Sequence, residues 1–254
     1  MEELEQAITP ETTLITVMYG NNEIGTIEPV HEIGRIARYR KIPFHTDAVQ
    51  AVGQIPISVR REPIDLMSAS AHKFHGPKGV GFLYVHEGVR IPSFIHGGAQ
   101  EKGKRAGTEN VPGIVGMAEA LRIAVLQMQQ NRAREIQLRN YFMDRHRREY
   151  ERVRINGHPY QRLPGNINIS FGGVDATSLL TLLQEDGICA SAGSACSTGQ
   201  TRISHVIEAI HVPDEYAVGT IRFTLGRENT RQEVDQTIRS LKKNLAILRE
   251  DEAI

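Results

Sequence analysis

The stretch Ser68-Ala-Ser-Ala-His-Lys-Phe-His-Gly-Pro-Lys-Gly-Val-Gly81 decides the fold. Asp65–Ala71 (DLMSASA) reads as a strand, Gly76–Gly79 (GPKG) as a turn, and Val80–Val85 (VGFLYV) as the next strand. Working upstream, Ile42–Thr46 (IPFHT) is a short strand that ends at Asp47. Pro29 opens a helix through Ile33, Ile36 and Ala37, with proline in its first turn. Thr13–Tyr19 (TLITVMY) is a β-branched and aromatic run that reads as a buried strand. Strands alternating with helices predict an α/β layer with a mostly parallel sheet.

Downstream the style changes. Two consecutive helices are expected between Asn110 and Tyr150, broken near Gln130. The second is rich in arginine (Arg132, Arg134, Arg139, Arg145, Arg147, Arg148). Interleaved Glu135, Asp144 and Glu149 make a solvated face its expected reading. Ile167–Phe171 and Ile221–Leu225 read as strands, Asp175–Gln184 and Thr230–Arg249 as helices, giving a smaller C-terminal α+β domain. The expected domains are 1–128 and 129–254.

Lys plus Arg is 30 and Asp plus Glu is 30 in 254 residues. A neutral chain gives no reason to expect nucleic acid or an anionic membrane as partner. The sequence shows no run near the ~20 apolar residues of a membrane span. Met1–Pro10 is acidic and polar, unlike a secretory or transit leader. Two cysteines make no disulfide scaffold, so a cytoplasmic, reducing setting is expected. The strand Thr13–Tyr19 has nothing before it to cover its outer edge, an arrangement that native sheets avoid. A covering N-terminal segment is therefore expected.

Four groups of residues could carry chemistry. Asp47 and Ser70 each close a predicted strand, and open α/β sheets bind ligands beyond the carboxyl ends of their strands. Gln50, His72 and Lys73 stand close by in sequence. A lysine there could form a Schiff base with an aldehyde cofactor, and a carboxylate could keep a pyridine nitrogen protonated. The second group is Ser191–Gly199 (SAGSACSTG), which surrounds Cys196 with small residues suited to an exposed loop nucleophile. Arg202 follows and could lower the thiol pKa. Cys189, in the apolar run GICASA, is expected to be a small buried hydrophobe. Third, Arg222 in TIRFTLG needs a partner, either an internal carboxylate or the carboxylate of a substrate. Fourth, Gly97–Asn110 (GGAQEKGKRAGTEN), with Arg105 and Thr108 before a helix, suits a phosphate or an ordinary connection.

Together NNEIG, FHTDAVQAVG, SASAHKFHGPKGVG, GGAQEKGKRAGTEN, SAGSACSTG and TIRFTLGR strongly resemble the NifS/IscS family of cysteine desulfurases. The resemblance runs over essentially the whole chain, in the family's order and spacing. It implies the PLP-dependent transferase fold type I: part of a large domain, then the small one. It implies pyridoxal 5'-phosphate as cofactor and Lys73 as the Schiff-base lysine. Asp47 would pair with the pyridine nitrogen, with Asn22 and Gln50 near the ring hydroxyl. Ser70 and His72 would hold the phosphate, and Thr108 the phosphate of the other subunit in a homodimer. Arg222, with Asn22, would bind L-cysteine, and Cys196 would accept its sulfur. L-alanine and a protein persulfide would result, for an iron–sulfur scaffold or tRNA thiolation. No metal site is implied, apart from Cys196 as a cluster ligand during transfer. Gln200–Val206 (QTRISHV) departs from the family's usual pattern and leaves the acceptor open. The family's N-terminal phosphate loop and its ring-stacking histidine are absent from this sequence. A split enzyme completed by another polypeptide, a non-catalytic partner-binding remnant, and another fold type I enzyme such as a selenocysteine lyase remain alternatives.

Overall fold

The computed structural model describes residues 1–193 and 203–251. It forms two compact units, Met1–Gly20 with Glu28–Met128, and Asn21–Ile27 with Gln129–Ile254.

The first unit begins with α1 (Glu2–Ala7), followed by β1 (Ile15–Met18), α2 (Val30–Arg40), β2 (Phe44–Asp47), β3 (Leu66–Ser70) and β4 (Gly81–Val85). The sheet order is β1-β2-β3-β4. The pairs β1–β2 and β2–β3 are parallel, and β3–β4 is antiparallel. The reversal follows from chain length: Ala71–Val80 is a tight connection, too short for the crossover that a parallel pair needs. The sheet is therefore mixed and mostly parallel, as the alternation of elements predicts. The helix α2 starts after Pro29 and buries Val30, Ile33, Gly34 and Ala37. A Cβ on Gly34 would meet the Pro63 carbonyl oxygen at 2.3 Å, so this residue type permits the close approach. At the outer strand β1, Leu14 and Met18 are exposed.

From Val111 to Glu149 the chain is one helix, α3, not the two expected. Gln129–Asn131 are polar, but no glycine or proline follows Gly116 within the helix, and polarity alone does not end one. Gly116, Ala120 and Ala124, four apart, form a smooth face. Cβ atoms built on Gly53, Gly76 and Gly116 would lie 3.2 Å from Ala124, 3.2 Å from Ala120 and 2.8 Å from Pro77. By length and composition α3 would pass as a membrane span, the single such helix among the described residues. Its Val111, Val115, Val125 and Leu126 are exposed, and the ion pair Glu119–Arg122 (2.7 Å) interrupts the apolar run.

The second unit continues α3 into β5 (Val153–Ile155), β6 (Asn166–Phe171), α4 (Ala176–Glu185), α5 (His205–Ala209), α6 (Asp214–Ala217), β7 (Thr220–Thr224) and α7 (Arg231–Asp251). Its sheet is antiparallel, in the order β5-β6-β7. Every residue of β6 is buried. Ile167, Ile169 and Phe171 join Leu179, Leu183, Ile221, Ile238 and Leu241 in the core. Asp175 caps α4 by accepting from the Ser178 amide, 3.0 Å.

Two expectations fail here. Arg139 does not belong to a solvated face; it is buried, donating to the carbonyls of Arg162 (3.3 Å) and Leu163 (3.0 Å). Cys189 is exposed rather than buried. Its neighbours Ile188 and Ala190 pack on the core, and an extended chain then turns the residue between them outward.

His146 is fully buried between Phe142 (ring centroids 4.3 Å apart) and Tyr150 (4.6 Å). Its Nδ1–H donates to the Phe142 carbonyl (2.8 Å), and Nε2 has no partner among the described residues. Burial holds its pKa down at about 4. The folded state thus excludes a proton that the unfolded chain binds near 6.5, and this stability is present above pH 6.5 and lost as pH falls towards 4. The shift is worth about 3 kcal/mol. Glu135, raised to about 7 by burial, works in the opposite sense over the same range. The difference between variants therefore isolates the histidine: on going from pH 7 to pH 4, His146→Phe loses less stability than the native chain in parallel urea titrations.

Candidate functional site

In the first unit the site is built at the carboxyl ends of β2 and β3. Parallel pairing in the register Asp47↔Ser68 brings both ends to one side of the sheet. Asp47 is exposed, and its Oδ1 accepts the Val49 amide (2.9 Å), which fixes the turn that follows. Gln50, half-buried, lies on that turn. Beyond Ser70 the chain makes one 3₁₀ turn, Ala71–Phe74, closed by His75 in the left-handed region (φ 66°). Ala71 and Phe74 are buried, which leaves His72 and Lys73 facing outward. Ser70 Oγ and His72 Nδ1 are 2.8 Å apart. Gly81 lies opposite Ser70 in β4, and a Cβ there would meet the Ala69 carbonyl at 2.4 Å. The sequence segment GPKGVG thus serves to bring β4 back tightly behind the Lys73 turn.

Thr108 is exposed just ahead of α3, whose first turn is capped by Asn110 Oδ1 accepting from Gly113 (3.1 Å). Arg105 is engaged in its own loop, donating to the Gly107 carbonyl (2.8 Å) with Glu101 at 3.6 Å.

In the second unit Asn21–Ile27 folds against β6. The Asn21 Oδ1 accepts the amides of Glu23 (2.8 Å) and Ile24 (3.0 Å), and Gly25 takes φ +76°. Asn166 presses on Gly25 and donates to the Glu23 carbonyl (3.2 Å). This packing draws in a segment that sequence order assigns to the first domain. Arg222, central in β7, donates through Nη1 to the Asn22 carbonyl (3.0 Å). Its Nε has no partner among the described residues, and no carboxylate pairs with it there. Among the described residues, the internal ion pair that was one of its two expected partners is absent. Arg222 and Ser191 also exchange backbone hydrogen bonds (2.7 and 3.1 Å). Ser191 opens the segment SAGSACSTG, so its start is tied to the arginine. Cys196 and Arg202 lie outside the described residues.

Two residues inside the quoted motifs are given no role by the sequence reading. Glu23, in NNEIG, is buried, with Oε2 unpartnered among the described residues. His45, two residues before Asp47, bridges Thr16 and Ser68. The spacing of His45 and Asp47 was the available signal, since residues two apart on a strand share a face.

Comparison with known proteins shows the family and the fold. The chain is 48% identical over 248 residues to the cysteine desulfurase IscS of Dictyoglomus turgidum, covering 98% of this chain and 63% of that protein. It is 47% identical over 237 residues to cysteine desulfurase IscS of Methanosarcina thermophila, covering 93% of this chain and 58% of that one. Among solved structures, a NifS-like protein superposes with a TM-score of 0.87 at 38% identity, over 97% of this chain and 64% of that one. A structure described as SspA in complex with cysteine gives 0.73 at 33% identity, over 90% and 63%. The chain thus spans less than two thirds of the length of these relatives. The α/β fold of the NifS-like proteins is present, as the sequence motifs imply. The class-V aminotransferase model matches residues 1–237, and the chain belongs to the class-V aminotransferase family.

Proposed function

We propose that this chain carries the cofactor-holding and cysteine-handling parts of a cysteine desulfurase, a pyridoxal-phosphate enzyme that moves the sulfur of L-cysteine onto Cys196 and releases L-alanine. One observation carries the reading: Arg222, without a carboxylate partner among the described residues, is tied through Ser191 to the segment that bears Cys196.

The residues of the first unit suit the cofactor. Ser70 Oγ and His72, 2.8 Å apart, are polar groups apt for a phosphate, the exposed Asp47 for a protonated ring nitrogen, and the exposed Lys73 amine for an aldehyde. Gln50, with Asn22, is assigned to the ring hydroxyl, and Thr108 to the phosphate held by a second copy in a homodimer. When bound, pyridoxal phosphate supplies an electron sink that weakens the bonds at the α-carbon and beyond.

The chain's own groups do the remainder. Lys73 holds the cofactor and then, freed as an amine, takes the α-proton of L-cysteine. Arg222 grips the substrate carboxylate; its guanidinium is already oriented by the Asn22 carbonyl, so less freedom is lost on binding. The Cys196 thiolate attacks the substrate sulfur, an S–S bond forms as the C–S bond breaks, and the carbon skeleton leaves as alanine. The persulfide serves a sulfur acceptor, such as an iron–sulfur scaffold, in a reducing cytoplasm. The exposed Leu14 and Met18 at β1 and the exposed apolar side chains of α3 support a complementing polypeptide as a further partner.

The test is mass spectrometry of the protein after PLP and L-cysteine without reductant. One added sulfur on the Cys196 peptide, absent from Cys196→Ala, is the expected result. PLP bound with no sulfur gained, even when a family N-terminal segment is supplied, would sink the desulfurase reading. Failure to bind PLP under the same conditions would make the chain a partner-binding remnant. Release of selenium from selenocysteine with no persulfide on Cys196 would favour a selenocysteine lyase.

A further inference from the structure

We propose that His45 is a positioning residue that sets the charge beside Asp47, and with it the acid limit of cofactor binding. The proposal rests on the cofactor reading given above.

Within β2, Phe44 and Thr46 point to the buried side, so His45 and Asp47 share the opposite face. The His45 ring spans three strands. Its Nδ1 is 2.7 Å from Thr16 Oγ1 on β1, and its Nε2 is 2.7 Å from Ser68 Oγ on β3. Both partners are hydroxyls, and a hydroxyl can donate or accept. A neutral ring donates to one and accepts from the other; a protonated ring donates to both. The heavy atoms need not move between the two states. His146 is the contrast, because a carbonyl holds one nitrogen and apolar packing surrounds the other. His45 is thus held in place while its charge remains free to change.

The charged group acting on it is Asp47; from β1 it faces the neutral Thr16 and from β3 the neutral Ser68. Burial lowers the His45 pKa, and Asp47 partly offsets this. At neutral pH His45 is therefore uncharged, and the whole Asp47 charge is available to a cationic ring nitrogen. Below the His45 pKa an imidazolium stands beside the same carboxylate, competes for it and repels the ring cation. Linkage makes the effect reciprocal: protonation of His45 weakens cofactor binding by the factor by which the cofactor suppresses that protonation.

The experiment has two readouts, neither of which is turnover. The first is an NMR titration of the His45 ring in the full chain without cofactor, in the native protein and in Asp47→Asn. Losing the carboxylate should lower the His45 pKa further, because the charge that partly offsets burial is gone. Asparagine keeps the Oδ1 acceptor for the Val49 amide, so the turn after β2 is preserved. An unchanged pKa would overturn the proposal. The second readout is PLP affinity from absorbance between pH 7.5 and 5.5. The native chain should lose more affinity over that range than His45→Asn, which keeps polar contacts but cannot charge; the difference stays below about tenfold, the most that a histidine titrating below its ordinary value contributes by pH 5.5. Equal pH profiles in the two proteins would overturn the proposal while leaving the cofactor reading standing. Failure of both to bind PLP at any pH would instead overturn the cofactor reading, and the proposal with it.

Discussion

Under the proposed function, Lys73→Ala is expected to lower the transfer of sulfur from L-cysteine to Cys196 by at least about a hundredfold, the lower end of what a positioned proton-transfer group contributes. Under the proposed function the loss is compounded, because the same amine would anchor the cofactor. Thermal unfolding of the cofactor-free chain stays unchanged. The structural ground for this separation is the 3₁₀ turn, which hides Ala71 and Phe74 and leaves His72 and Lys73 outward. No hydrogen bond or ion pair among the described residues depends on the Lys73 side chain. A calorimetric scan and a single-turnover sulfur assay on the same sample check both halves. Retention of full transfer by Lys73→Ala would remove the lysine from the reaction. A large fall in melting temperature would show that the turn is built on the lysine rather than merely displaying it.

Phe171→Ala destabilises the second unit by about 3–5 kcal/mol. Phe171 is fully buried at the end of β6, paired with Val153 of β5, and its ring stands edge-on to His146 at 6.1 Å. Truncation leaves a cavity bounded by two strands and α3, which cannot close without moving the sheet. The stacked rings of Phe142, His146 and Tyr150 lose part of their support at the same time. Urea unfolding followed by circular dichroism at pH 7 gives the change. A loss below about 1 kcal/mol would mean that the core refills, as well-relaxed sites can.

Much of this protein is legible in local sequence. The strands that end at Asp47 and Ser70 follow from short apolar runs stopped by polar residues, and GPKG announces the return of β4. The mostly parallel order follows from connections long enough to hold a helix. The one antiparallel pair follows from a connection too short for one. Lys73 and Cys196 stand out because their neighbours are small or turn-forming. These signals operate within a few residues, where backbone preference and spacing suffice.

The tertiary structure decides what depends on residues distant in the chain. Arg222 meets the Asn22 carbonyl across 200 positions, and no periodicity links the two. Thr16, His45 and Ser68 form one bridge only because three strands align in register. Arg139 looks solvated by charge pattern, yet is drawn inward by the carbonyls of Arg162 and Leu163. Cys189 looks buried by composition, yet faces solvent because Ile188 and Ala190 take the core side. In each case composition gives the average environment of a residue type. Packing among distant segments then assigns the actual partner, because hydrogen bonds and close contacts act over a few ångströms of space and not of chain.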